Sequence, residues 1–130
     1  MTKKLKQPKT RDMRPLRQGD VMLIPVDKLP ANAIKQRAKD LRIVLQYGEV
    51  TGHAHAIHLM DYPKTESYTE TADTRPVDAL ANGTRAWLEV FLKASVTHEE
   101  HAPLVLEPGV YEIRRQREYQ PKALPRLVQD

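Results

Sequence analysis

The 130-residue chain contains no cysteine. Disulfides, thiolate zinc sites and cysteine nucleophiles are thereby excluded, and the absence fits a reducing cytoplasm, where the protein is expected. Aromatics are scarce: one Trp, one Phe and five Tyr, which with 40% apolar residues suffice for a single modest core. Only five glycines occur, and none builds a phosphate-cradling Walker loop or a nucleophile elbow. No apolar run approaches the roughly 20 residues of a membrane span. The opening residues lack the apolar stretch of a secretory signal, so no membrane association is expected.

Charge is present but unevenly placed. Residues 1–18 carry Lys3, Lys4, Lys6, Lys9, Arg11, Arg14 and Arg17 against Asp12 alone, a net +6. The other 112 residues carry 14 basic and 16 acidic groups, a net −2. With Pro8 and Pro15 and no apolar periodicity, residues 1–18 read as a disordered basic arm. A second basic cluster, Arg114, Arg115 and Arg117 beside Tyr119, precedes a Pro-containing tail over residues 120–130. Cations near phosphates release counterions, and Tyr119 can stack on a base, so both segments are candidate contacts to RNA or DNA. An acidic protein partner fits the same charges, and basic tails also serve simply as solubilisers.

Between arm and tail, residues 19–119 form the expected domain. Val21–Val26 is apolar on both faces and reads as a buried strand, with Pro25 near an edge. Ala31–Asp40 has enough scattered apolar positions for one or two helical turns. Leu41–Leu45 and Val50–Leu59 read as further strands. Residues 61–84 turn polar, with Pro63, Pro76 and Gly83, and read as a long loop. Residues 86–96 alternate as one half-buried strand. Pro103–Leu106 and Val110–Arg114 then flank Glu107-Pro108-Gly109, the chemistry of a hairpin turn. Short strands, frequent turns and no convincing amphipathic helix make the fold mainly β, a small barrel or sandwich.

The histidines are grouped. Four of the five fall in two tight pairs, His53-Ala54-His55 and His98-Glu99-Glu100-His101, with His58 just beyond the first. Imidazole is a frequent metal ligand and the side chain best placed to move protons near neutral pH. On a strand, residues i and i+2 share a face, so His53 and His55 project together while His58 points away. Gly52 would let a ligand or another backbone come close. His98 and His101 have odd spacing and can share a face only through a turn or one helical turn, for which Thr97 is a suitable cap. If the turn brings the pairs together, His53, His55, His98 and His101 could hold zinc, iron, nickel or manganese, with Glu99 or Glu100 as carboxylate ligand or general base. The same residues equally suit metal-free proton transfer, or neutral structural histidines bonded to the backbone.

The run Gly48-Glu49-Val50-Thr51-Gly52-His53-Ala54-His55 resembles the first motif of the cupin family, where a glycine precedes a His-x-His metal pair on a strand. The resemblance covers about a tenth of the chain and implies a β-barrel with a metal on His53 and His55. The spacing after the glycine is one residue short, the glutamate that follows the second histidine is missing, and the second cupin motif is absent.

Three function classes follow. The first is a nucleic-acid-associated binding module using the basic arm and the C-terminal arginines, with the histidines structural or holding a metal. The second is a cupin-like metal-dependent enzyme. The third is an assembly protein whose arm docks on neighbouring copies in a homo-oligomer. The charge distribution favours the first.

Overall fold

Ten strands and one short helix follow from the alternation of small apolar segments with turns, and a computed structural model describes residues 11–116. In chain order the elements are β1 (Leu16–Gln18), β2 (Val21–Val26), β3 (Ile34–Gln36), β4 (Arg42–Tyr47), β5 (Ala54–His58), β6 (Thr65–Thr69), α1 (Pro76–Ala81), β7 (Ala86–Val90), β8 (Ala94–His98), β9 (His101–Leu106) and β10 (Gly109–Arg115). They form two antiparallel sheets, ordered β1-β2-β10-β7-β6-β3 and β4-β5-β8-β9. The sheets face each other without closing into a barrel, so the architecture is a sandwich.

Period-two alternation builds the core between them. Val21 and Leu23 on β2, Leu88 and Val90 on β7, and Tyr111 and Ile113 on β10 are buried on the six-stranded side. Ile43 and Leu45 on β4, Ile57 on β5, Val96 on β8 and Leu106 on β9 meet them from the four-stranded side. At about 25 cal/mol for each Å² of apolar surface removed from water, this shared layer is the main source of stability. Pro25 cannot donate a backbone hydrogen bond, and β1 pairs only with Val21–Leu23, so Pro25 lies past the end of that pairing.

Several sequence expectations are corrected. The segment 31–40 contains strand β3 rather than helical turns. The polar stretch 61–84 holds β6 and α1. In β6 the inward residues are Thr65, Ser67 and Thr69, all buried, so the alternation is invisible to a hydrophobicity reading. Pro76, which reads as a breaker, opens α1 at a position where its missing N–H costs nothing. The strand expected over 86–96 is two strands in different sheets, β7 and β8, broken at Phe91–Lys93, where Leu92 is 63% exposed. The turn at Glu107–Gly109 joins no hairpin, because β9 and β10 also lie in different sheets.

The arm boundary moves as well. Leu16–Gln18 is strand β1, paired with β2, so the ordered sheet begins inside the expected arm. Further out, Arg11 donates to the carbonyls of Val26 and Val110 at 2.7 Å each, and its guanidinium lies 4.9 Å from the Tyr111 ring centroid. Gly109 leaves the space this requires: a Cβ there would overlap the guanidinium.

Candidate metal centre

Strand parity places His55 on the inner face of β5, beside Ile57 of the core. At this end of the sandwich the inner layer turns from apolar to polar. Ala56 pairs with Thr97, which sets His55 beside His98 on the neighbouring strand. His98 in turn pairs directly with His101 across the two-residue Glu99-Glu100 turn of the β8–β9 hairpin. The odd spacing of the second pair is thus resolved by a tight hairpin. Three adjacent strands present His55, His98 and His101 as a triangle of rings, with centroids 4.3, 4.7 and 5.5 Å apart.

His53 arrives differently. It precedes β5, at the end of a turn closed by Gly48 N–H to His53 carbonyl at 2.8 Å, and its ring meets His98 edge-on at 5.8 Å. The structure therefore brings all four expected histidines together, while His58 is exposed and apart. The His-x-His pair is nevertheless divided. One set of mutually close ligand atoms comprises His55, His98 and His101, and another comprises His53, His98 and Glu99, each set lying within 4.8 Å. A tetrahedral zinc site with bonds of about 2.0–2.1 Å has nitrogens about 3.3 Å apart, so a small side-chain contraction would close either set.

The site has supports that sequence reading missed. Gln18 on β1 is buried, and its Oε1 lies 2.8 Å from His55 Nδ1. The Gln18 amide donates to the carbonyls of Val96 and Ala102 at 3.0 and 2.8 Å, which fixes its oxygen toward the imidazole. Only a protonated Nδ1 can bond that oxygen, so Nε2 of His55 keeps its lone pair for a ligand. Gly19 and Gly48 supply clearance. A Cβ on Gly19 would sit 3.0 Å from His55 Cε1 and 3.2 Å from His101 Nε2, and one on Gly48 would sit 3.1 Å from His98 Nε2. Close approach thus belongs to these two glycines. Gly52, the expected one, has open space around it and serves a turn at φ +89°. Gly48 opens the cupin-like run, whereas Gly19 carried no signal in the sequence; only convergence in space shows what each clears.

Electrostatics keep the inner ring neutral. His55 has its pKa lowered to about 4, first by burial and then by His98 and His101, with Asp20 and Glu99 opposing. Glu99 is held below the usual carboxylate range by its own N–H and that of Ala54, against a small effect of burial, with His53 and His98 adding to the lowering. Its Oε1 accepts from Ala54 N–H at 3.0 Å. Such a carboxylate is a weak base. Glu100 Oε2 lies 3.6 Å from His53 Nδ1. Its backbone N–H donates to His98 Nδ1 at 3.0 Å. The histidines open on a cleft of about 330 Å³, open to solvent, which Asp20, Gln46 and Tyr47 also line.

Of the expected nucleic-acid contacts, Arg17 on β1 and Arg114 on β10 both stand opposite Met22 of β2 and so share one face of the six-stranded sheet. Arg11 is tied to the fold as above, Arg14 pairs with Asp12 at 2.8 Å, and Arg114 bonds Glu112 at 3.3 Å. Arg17 bonds Met22 Sδ at 3.6 Å, and Arg115 ends β10. Lys3, Lys4, Lys6, Lys9, Arg117 and Tyr119 lie outside the described residues. No helix among the described residues is long and apolar enough to cross a membrane.

No curated protein and no solved structure matches the chain. A family model does, over residues 17–116, from β1 through β10 and including Gln18, both site glycines and all four histidines. The chain belongs to the family described as Domain of unknown function (DUF8820).

Proposed function

We propose that this domain binds a divalent transition-metal ion in the histidine cleft, with His55, His98 and His101 as ligands. The observation that carries the reading is the triangle of three imidazoles from adjacent strands, their ligand atoms within 4.8 Å of one another. Three supports add to it. Gln18 presets the tautomer of His55, as outer hydrogen bonds do for metal-bound histidines. Gly19 and Gly48 leave room where side chains would obstruct the rings. Gln46, paired with His55 across β4 and β5, has a buried Oε1 with no hydrogen-bond partner, an acceptor that a metal-bound water would satisfy. An all-imidazole set suits zinc, copper, nickel or iron better than magnesium or calcium.

The ligand count also favours a catalytic reading. Three protein ligands with one side open to a cleft leave a coordination position for water, whose pKa such a metal lowers toward neutrality. In that case Glu100, beside His53 at the cleft, accepts the proton, and the class of reaction is metal-assisted hydrolysis. This is the form in which the enzyme alternative stands. Contact with RNA or DNA stands separately, on the net +6 of residues 1–18. Deleting residues 1–10 should flatten the salt dependence of any binding to an oligonucleotide; an unchanged slope would remove the arm from that role.

The decisive test is metal content and titration of the whole chain. One zinc or nickel ion per chain is expected, with binding abolished in His98→Ala. A wild-type chain that takes up neither ion would end the proposal.

A further inference from the structure

We propose that the cluster contains two overlapping metal positions that share His98, and that a single ion passes from the outer to the inner one. The outer position is His53, His98 and Glu99; the inner is His55, His98 and His101. This rests on the metal-binding reading above and goes beyond it by assigning a path and an order.

The division follows from the chain. His53 and His55 are two residues apart, yet they fall in different ligand sets. His55 is inside β5 and faces the layer between the sheets, while His53 belongs to the turn before it. His98, on the middle strand of the three, contacts both rings, at 4.3 Å and 5.8 Å between centroids. It is the common member of both sets.

The two positions differ in what they ask of an ion. In the outer set no ligand is buried, and Glu99 contributes a negative charge, with Glu100 close to His53. An approaching dication is attracted there by a carboxylate, and little hydration must be stripped from the ligands to seat it. The inner set contains buried His55 and no carboxylate. It binds through three neutral nitrogens, which rewards borderline-soft ions and gives little to hard ones. Capture is therefore faster outside, and retention of zinc-like ions is stronger inside.

Transfer needs no redox partner. The bonds from the ion to Glu99 oxygen and His53 nitrogen break as bonds to His55 and His101 nitrogens form, and His98 anchors the exchange. A neutral imidazole offers one lone pair, so the shared ring allows one ion at a time.

Cobalt(II) is a suitable probe, because its visible absorption distinguishes an all-nitrogen set from one with a carboxylate. Stopped-flow mixing with the full chain should show a fast phase that scales with cobalt concentration, then a slower phase that does not. Glu99→Gln and His53→Ala should slow capture by about tenfold or more, yet keep the final spectrum and one ion per chain. His101→Ala, at an exposed position, should hold the ion outside, with the carboxylate-type spectrum and weaker affinity; His55→Ala provides a second such trap. A single phase untouched by Glu99→Gln and His53→Ala, or two ions bound at once, would overturn the proposal while leaving metal binding intact. A wild-type chain that binds no cobalt, zinc or nickel overturns both readings together.

Discussion

Gln18 and His55 form a buried pair, joined at 2.8 Å between amide oxygen and Nδ1, across 37 positions of sequence. The glutamine is clamped by two backbone carbonyls and so acts as a fixed acceptor rather than a mobile one. Gln18→Ala should cost about 1–3 kcal/mol, because the carbonyls and the imidazole N–H lose their partner in a buried place. It should also weaken metal affinity by about 10–100-fold, through loss of ring orientation. Chemical denaturation and a competition titration read the two effects separately. Wild-type affinity in a folded variant would show that the clamp does not orient the ring.

Metal binding should disturb the Glu99-Glu100 turn. Glu100 N–H is bonded to Nδ1 of His98. An ion on Nδ1 displaces that bond, and an ion on Nε2 leaves the neutral ring protonated at Nδ1; in both cases the amide loses its acceptor. Exchange of the Glu100 amide with solvent should therefore accelerate when zinc is added. Protection that stays the same at full occupancy would remove His98 from the ligands.

The two clearance glycines are open to a paired test. Gly19→Ala places a methyl 3.0–3.3 Å from His55 and His101 at a backbone φ of +57°, where a Cβ is also strained by about 1–2 kcal/mol. It should lose both stability and metal affinity. Gly52→Ala bears a similar strain at φ +89° with nothing within 4 Å, so its affinity should match wild type. Equal affinity losses in the two variants would show that strain, not clearance, matters.

The metal-free protein should lose stability in mild acid. His55 takes its proton in the fold only at about pH 4, against 6.5 for a free imidazole, chiefly because of burial. Between those values the unfolded chain binds the extra proton, so stability falls as pH drops from 6.5 to about 4 and this contribution is constant below. His55→Asn should remove that part of the slope. Urea midpoints measured across the range check it, and parallel curves for both proteins would contradict the burial of His55.

Arg11→Ala should destabilise by about 1–3 kcal/mol, since it strips the donors from the carbonyls of Val26 and Val110 and removes the stacking on Tyr111. Metal affinity, measured at the other end of the chain's contacts, should be unchanged. A neutral effect on unfolding would return Arg11 to the set of cations available to a partner.

What the sequence determined by itself was local. Alternation of apolar residues fixed the class as mainly β, and strand parity set His58 apart from His55. The expected pairing of His53 with His55 on one strand face failed, because His53 lies in the turn before β5. The odd spacing of His98 and His101 required a turn. Charge counting located the basic segment, but not that Arg11 is spent inside the fold. Polar inward residues hid β6, since Thr65, Ser67 and Thr69 carry no apolar signal although the sheet buries them. An unbroken alternation hid the switch of sheets between β7 and β8, because period-two patterning says which face a side chain takes and not which sheet it joins.

Only the tertiary structure decided the site. Which strands become neighbours depends on long-range pairing, and that pairing set β5, β8 and β9 side by side and brought three imidazoles together. The same packing carried Gln18 and Gly19 to the cluster from a distant segment and split His53 from His55 between two ligand sets. Ligand geometry is a property of distances between backbones, and one chain read residue by residue contains no such distances.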